Sequence, residues 1–267
     1  MEADILISKY DTLLKVIESY GPGAVAFSGG VDSTLLLKAT RDVFGPDSLA
    51  LHISSILQKE HEASEARTIA DNIGVKFVQF DCDPLQWPDF VANPEDRCYF
   101  CKKNIYKMLF SYLKQKSNEI LYDGSNVDDM SDYRPGKKAI AEFGVKTPLI
   151  DADLRKNDIR IISKGFDLPT WNKFSSSCLA TRIATGIPIT KKDLQVVAVC
   201  EKYLSDQGFK GIRVRFDPEK RTAYIEFEQG DFAKFAHSEE RGKVKNFFYS
   251  MGLRKVFLDL SERDSMV

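Results

Sequence analysis

The stretch Ala24-Val25-Ala26-Phe27-Ser28-Gly29-Gly30-Val31-Asp32-Ser33-Thr34 decides the fold. Ala24 to Phe27 is a short apolar run with no helical period, whereas Leu35, Leu36, Leu37 and Ala39 give the next segment helical character. A buried strand therefore runs into a loop that opens a helix. Two adjacent glycines, Gly29 and Gly30, let the backbone approach a ligand and turn successive N–H groups toward one anion beside a helix N-terminus. The hydroxyls of Ser28, Ser33 and Thr34 add donors, and Asp32 can hold Mg²⁺ on bound phosphates. A nucleotide site made of Ala26, Ser28, Gly29, Gly30, Asp32 and Ser33 is expected, with Gly124 contributed from the end of a later strand.

The loop lacks the lysine of a G-x-x-x-x-G-K-S/T P-loop, whose side chain reaches the β- and γ-phosphates. That argues against γ-phosphate transfer. SGGVDS instead resembles the SGGxDS pyrophosphate loop of ATP pyrophosphatases, which cleave ATP between the α- and β-phosphates to adenylate a substrate. A serine- and glycine-rich turn in an ordinary α/β protein is the plainer alternative, but all six positions fit between a strand and a helix.

At 267 residues the chain suggests two domains, since one domain takes roughly 100–200 residues. Its 43% hydrophobic and 29% charged residues are those of a globular protein with a sizeable core. With 38 Lys and Arg against 39 Asp and Glu there is no basic bias to advertise nucleic acid. No segment reads as a secretory signal or as a membrane span of ~18 apolar residues, so a cytoplasmic location is expected. The five cysteines, Cys82, Cys98, Cys101, Cys178 and Cys200, are too few for a disulfide scaffold and read as thiols, metal ligands or catalytic groups.

From the loop outward, residues 4–19 place Tyr10, Leu13, Leu14 and Ile17 near one helical face, ended by Gly21-Pro22-Gly23. After the loop come a helix to about Phe44, strands at 49–54 and 75–80 around a helix at 59–73, and a loop over 81–97. A helix over 98–113 leads to a strand at 120–123 and then to the acidic, glycine-containing segment Gly124 to Gly136. Alternating strands and helices predict an α/β domain over residues 1–174 with a doubly wound parallel sheet, whose ligand sits beyond the carboxyl ends of the strands. Asn157 is expected to cap a helix over 158–166. The small-residue link Ser175 to Gly186 opens a second domain, 175–267. A capping-box-like Thr190-x-x-Asp193, helices at 190–207 and 239–251, and strands near 211–216, 222–227 and 255–260 make it a compact α+β unit.

Cys98-Tyr99-Phe100-Cys101 is a CxxC at a helix start, with both sulfurs on one side, and Cys178 in the link is a third candidate. Three thiolates suit a 4Fe–4S cluster with one iron left open. They equally suit Zn²⁺ with a further ligand, and the CxxC alone suits a redox pair. The bland alternative is that Cys101 packs in the core beside Ile105 and Met108.

SGGVDSTLLLK, DGSNVDDMSDYRPG, the segment Pro148 to Arg160, LPTWNK, CLATRIATG and GIRVRF occur here in one order. Together they resemble the LarE-type ATP-dependent sulfur transferases over roughly the whole chain. The resemblance implies a pyrophosphate-loop fold that adenylates a carboxylate of pyridinium-3,5-biscarboxylic acid mononucleotide and installs sulfur as a thiocarboxylate for a nickel-pincer nucleotide cofactor. One branch of that family sacrifices a single cysteine. The other carries sulfide on a 4Fe–4S cluster held by three cysteines, and Cys98, Cys101 and Cys178 match it. The implied cofactors are ATP, Mg²⁺ and the cluster; the implied partners are a small nucleotide substrate, a sulfide donor and further copies of the chain. Arg213 and Arg215 of GIRVRF match arginines that hold the substrate phosphate, and alternate strand residues do face one side. Glu201, on the inward helical face with Val197 and Ala198, matches an active-site glutamate; Asp231 is a weaker catalytic match. The plain alternative for Glu201 is a salt bridge to an arginine.

Two other enzyme readings share the loop. A tRNA thiolase would bring an RNA-binding domain or a basic surface, and an amidating pyrophosphatase of the NAD- or GMP-synthetase kind leaves three cysteines unexplained. A zinc-stabilised nucleotide-binding protein without catalysis needs only the loop and the CxxC.

Overall fold

The computed structural model describes residues 2–59, 61–130, 135–174, 177–227, 235 and 238–260. The chain forms two compact units, one of residues 1–55, 60–82 and 96–173, the other of residues 56–59, 83–95 and 174–267.

The first unit is a parallel four-stranded sheet. Helix α1 (Glu2–Tyr20) precedes strand β1 (Ala24–Ala26), followed by α2 (Val31–Phe44), β2 (Leu49–Ser54), α3 (Glu62–Ile73) and β3 (Lys76–Asp81). Helix α5 (Arg97–Gln115) then leads to β4 (Leu121–Tyr122). The strand order is β3-β2-β1-β4, with Val25 paired to Ala50 on one side and to Tyr122 on the other. Side chains alternate across the sheet as strand geometry requires. Val25, Phe27, Ala50 and Tyr122 join Leu13, Ile17, Leu35 and Ile159 in one core, while Ala24, Leu51 and Leu121 join Tyr106, Leu109 and Leu113 of α5 in the other. Burial on both faces explains why β1 reads as an uninterrupted apolar run; each fully buried leucine contributes roughly 2 kcal/mol. The chain steps outward from β1 to β3 and returns to β4 on the opposite side of β1. Between β1 and β4 the order reverses, the position beyond whose carboxyl ends open α/β sheets take their ligands.

Several local expectations change. The loop expected over 81–97 contains a 3₁₀ turn, Pro84–Gln86, and helix α4 (Pro88–Val91), each with proline in its first turn. Asp83 caps the turn by accepting from the Leu85 N–H at 3.1 Å. Helices α6 (Gly136–Phe143) and α7 (Pro148–Asp151) were not expected, being short and beside glycine or proline. Helix α8 (Lys156–Gly165) is capped by Arg155 rather than Asn157, because Asp158 reaches back to accept from the Arg155 N–H at 3.0 Å.

In the second unit a 3₁₀ turn, Leu179–Arg182, precedes α9 (Lys191–Asp206), whose Thr190 cap accepts from the Asp193 N–H at 3.1 Å. Strands β5 (Arg213–Asp217) and β6 (Thr222–Glu226) pair antiparallel, and β7 (Lys255–Leu258), after α10 (Ser238–Ser250), pairs parallel to β6. Val214, Phe216, Ala223 and Ile225 form the buried face of this sheet. Residues 83–95 belong here through Asn93, which is fully buried and whose side-chain amide donates to the Ala184 and Ile187 carbonyls, each at 2.8 Å.

Candidate active site

The turn after β1 is built around backbone. Gly29 has φ +73°, and a Cβ there would lie 3.2 Å from the Ala66 Cβ in α3, so both conformation and space demand glycine. Gly30 is the N-cap of α2 and supplies no side-chain cap, so the helix opens with no side chain across its N-terminal donors. Ser28 Oγ lies 3.0 Å from Ser33 Oγ and accepts from the Gly30 N–H at 3.3 Å. Gly124, just after β4, comes so close that a Cβ would sit 3.1 Å from the Ser33 amide nitrogen. Ala26 ends β1, half-buried. The β1 and β4 ends and the start of α2 thus form one compact turn that brings together Ala26, Ser28, Gly29, Gly30, Ser33 and Gly124. Thr34 Oγ1 is buried and finds no hydrogen-bond partner among the described residues.

Asp32 stands in the first turn of α2. Its carboxylate accepts from Asn126 Nδ2 at 3.1 Å and pairs with Lys156 Nζ at 2.6 Å. Lys156 is the first residue of α8, and its own N–H donates to Asp128 at 2.6 Å. A second lysine, Lys173, donates to the Gly29 carbonyl at 3.2 Å and pairs with Glu65 at 3.1 Å. Arg160 holds the approach to Lys173 by donating to the Trp171 and Lys173 carbonyls at 2.8 and 3.0 Å. Sequence reading singled out neither lysine, although both lie in stretches that carry the resemblance. The loop that lacks a P-loop lysine is therefore served by two lysines from 124 and 144 positions along the chain. An anionic oxygen of Asp32, an amide oxygen of Asn126 and the acids Asp128 and Asp129 are hard donors of the kind Mg²⁺ takes.

Asp123, at the end of β4, anchors the adjoining segment. It accepts from Lys102 Nζ at 3.0 Å, Tyr106 Oη at 2.8 Å and the Ser125 N–H at 2.9 Å. Burial pushes its carboxyl up, but the Lys102 charge and these hydrogen bonds outweigh burial and hold it at about 2.

Cys98, exposed, and Cys101, half-buried, are the second and fifth residues of α5. Cys178, half-buried, precedes the 3₁₀ turn of the second unit, and its carbonyl accepts from the Thr181 N–H at 3.0 Å and hydroxyl at 2.8 Å. Cys200 is buried, its thiol pushed up to about 12 by burial and by the Glu201 carboxylate, and is thereby an inert core residue. Among the described residues no three His, Cys, Asp or Glu side chains are gathered as a metal group. Cys98 and Cys101 lie three positions apart on α5, about one helical turn.

The inward acid of α9 does meet an arginine. Glu201, 2% exposed, accepts from Arg182 Nε at 2.6 Å and from the Val214 N–H at 3.1 Å. Arg213 and Arg215 emerge from one face of β5, both half-buried. Arg215 pairs with Glu226 at 2.6 Å and donates to the Thr181 carbonyl at 2.6 Å. Asp231 lies outside the described residues. Among the described residues no helix is long and apolar enough to cross a membrane.

Residues 9–121 match the NAD synthase family. Over 257 residues the chain is 34% identical to the pyridinium-3,5-bisthiocarboxylic acid mononucleotide synthase of Lactiplantibacillus plantarum, a match covering 96% of this chain and 91% of the relative. It is also 34% identical over 256 residues to an uncharacterized protein of Synechocystis, covering 96% and 95% of the two chains. A third relative, an uncharacterized protein of Methanocaldococcus jannaschii, is 29% identical over 238 residues, 88% of this chain and 88% of its own.

Proposed function

The chain belongs to the LarE-type family of ATP-dependent sulfur transferases, and from that premise we propose that it turns a carboxylate of a pyridinium mononucleotide into a thiocarboxylate. The observation that carries the proposal is the glycine turn at the β1/β4 reversal, where glycine at 29 and 124 lets the backbone close on Ala66 and on the start of α2 beside Asp32, the setting in which a helix N-terminus takes phosphate.

A carboxylate is a poor electrophile because its leaving group would be an oxide. Attack of a carboxylate oxygen on the α-phosphorus of ATP expels pyrophosphate and leaves an acyl adenylate. Sulfur then adds to the acyl carbon and AMP departs, taking the original oxygen with it. Ser28, Gly30 and Ser33 bind the phosphates, and Lys173 supports the turn through the Gly29 carbonyl. Asp32 would hold Mg²⁺, which when bound neutralises phosphate charge. Arg213 and Arg215 hold the phosphate of the acceptor, a task for which guanidinium geometry is suited. Cys98, Cys101 and Cys178 would hold a 4Fe–4S cluster, which supplies an iron with an open position for exogenous sulfide. A sulfide donor, self-association of the chain and a cytoplasmic location complete the proposal, on the strength of the resemblance.

Anaerobic incubation with ATP, Mg²⁺, sulfide and pyridinium-3,5-biscarboxylic acid mononucleotide tests it. AMP and pyrophosphate should form in equal amounts, and mass spectrometry should show oxygen replaced by sulfur in the acceptor. ADP and phosphate as products would overturn the assignment.

A further inference from the structure

Arg182 is 3% exposed and paired with Glu201, which is 2% exposed, so the ion pair is deep in the second unit. Burying two charges costs more than their attraction returns unless the remaining donors are satisfied. They are satisfied in a particular way. Nη1 of Arg182 donates to Ser177 Oγ at 2.6 Å, to the Ser177 carbonyl at 3.2 Å and to Thr181 Oγ1 at 2.8 Å. Ser177 and Thr181 bracket Cys178. Thr181 Oγ1 in turn donates to the carbonyl of Cys178 itself at 2.8 Å. On the other side Glu201 is anchored to β5 through the Val214 N–H at 3.1 Å. An unbroken series of hydrogen bonds thus runs from β5 through Glu201, Arg182 and Thr181 to the backbone of Cys178.

A pair that served packing alone would have no reason to spend its donors on the two neighbours of one cysteine. Leu179, Ala180 and Ile183 bury the apolar side of this turn, and the polar bonds of Ser177, Thr181 and Arg182 are what reach the backbone of Cys178 itself. Sulfur transfer requires the sulfur-bearing position within bonding distance of an acyl carbon, where small displacements are costly.

We propose that Arg182, clamped by Glu201, is the positioning residue for Cys178, and that Glu201 serves the reaction through Arg182 rather than by touching the acceptor. This rests on the proposed function, in which Cys178 is one of the three ligands of the cluster that takes the sulfide.

The test compares full-length wild type with Arg182→Met, Arg182→Lys, Glu201→Gln, Thr181→Val, Thr181→Ser and Cys178→Ala. Each protein is purified anaerobically and assayed with ATP, Mg²⁺, sulfide and the pyridinium biscarboxylic mononucleotide. The readout is the ratio of thiocarboxylate formed to pyrophosphate released, with the KM for ATP and the melting temperature measured alongside. Loss of positioning should let the adenylate hydrolyse, so Arg182→Met, Glu201→Gln and Thr181→Val should lower the ratio by about tenfold or more with ATP KM unchanged. Thr181→Ser restores the hydroxyl and should restore the ratio, and Arg182→Lys should fall between. Thr181→Val leaves the buried ion pair whole, so the test stands even where an Arg182 variant fails to fold. A wild-type ratio in Thr181→Val and in every folded Arg182 variant overturns the inference, as does a proportionate fall of both products, which marks a purely structural pair. If Cys178→Ala keeps the wild-type ratio, the underlying reading of Cys178 fails; if it loses thiocarboxylate while the Arg182 and Thr181 variants do not, only the present inference fails.

Discussion

Replacing Lys156 by methionine should tighten Mg²⁺ binding to the nucleotide-free protein. In the folded chain the Asp32 carboxylate is already neutralised by Lys156 Nζ at 2.6 Å, in a pair whose side chains are 15% and 22% exposed. At an effective dielectric constant near 20 the Coulomb attraction over that distance is roughly 6 kcal/mol. Desolvation of both groups and the ordering of a lysine chain cancel most of it, leaving about 1–2 kcal/mol net. A metal ion seeking Asp32 must displace or share with that cation, and removing it returns about 1.4 kcal/mol, or tenfold in affinity. Calorimetric titration of Mg²⁺ at fixed ionic strength, with ATP absent, measures this directly. Lys156→Met should bind about tenfold more tightly than wild type, Lys156→Arg should resemble wild type because it keeps the pair, and Asp32→Asn should bind weakly in either background. Unchanged Mg²⁺ affinity in Lys156→Met would refute the competition, and strong binding in Asp32→Asn would remove Asp32 as the ligand.

Three further outcomes are expected. Arg215→Ala should raise the KM for the phosphorylated acceptor by about tenfold or more while leaving ATP affinity intact, because the arginine belongs to the second unit; equal losses of both affinities would contradict that division. Alanine at any one of Cys98, Cys101 and Cys178 should remove iron and acid-labile sulfide together, since residues that hold one cluster act as a unit; dehydroalanine at 178 in the wild type after turnover would point to a sacrificial cysteine instead. Stability should fall on acidification from about pH 4 to pH 2, since Asp123 titrates at about 2 when folded and near 3.9 when unfolded, so the unfolded chain takes up the proton first. The unfolding free energy from urea melts across that range should fall by roughly 2 kcal/mol more in wild type than in Asp123→Asn, and parallel curves would show that another group dominates.

What was legible in the sequence was whatever the backbone itself defines. The parallel sheet followed from apolar runs alternating with helical periods, and the strand spanning Leu49 to Ser54 emerges with the expected limits. The glycine turn was legible because Gly29 must take a positive φ and Gly124 must admit the start of α2, demands that only one residue type meets. Residues 83–95 were read as a loop of the first domain because proline, asparagine and acids dominate them. Their affiliation with the second unit depends on Asn93 reaching the carbonyls of Ala184 and Ile187, some ninety positions away, and no local pattern encodes that reach.

The charged groups follow a different logic. Glu201 was conspicuous because an acid on the inward face of an amphipathic helix must have a partner, yet nothing in the spacing distinguishes Arg182 from Arg213, Arg215 or Arg221 as that partner. Lys156 and Lys173 were inconspicuous because lysine at a helix start or after a turn is ordinary surface chemistry, and their office appears only when folding brings them to Asp32 and Gly29. Long side chains tolerate several backbone frames, so selection can place the cation wherever the fold offers reach, whereas a phosphate-binding turn admits few residue types at each step. It follows that the nucleotide half of this site reads as a motif and the cysteine half does not. Cys178 is held by Ser177, Thr181, Arg182 and Glu201, of which the last is distant in sequence, so the geometry that would make its sulfur useful is a property of the folded second unit rather than of the link that contains it.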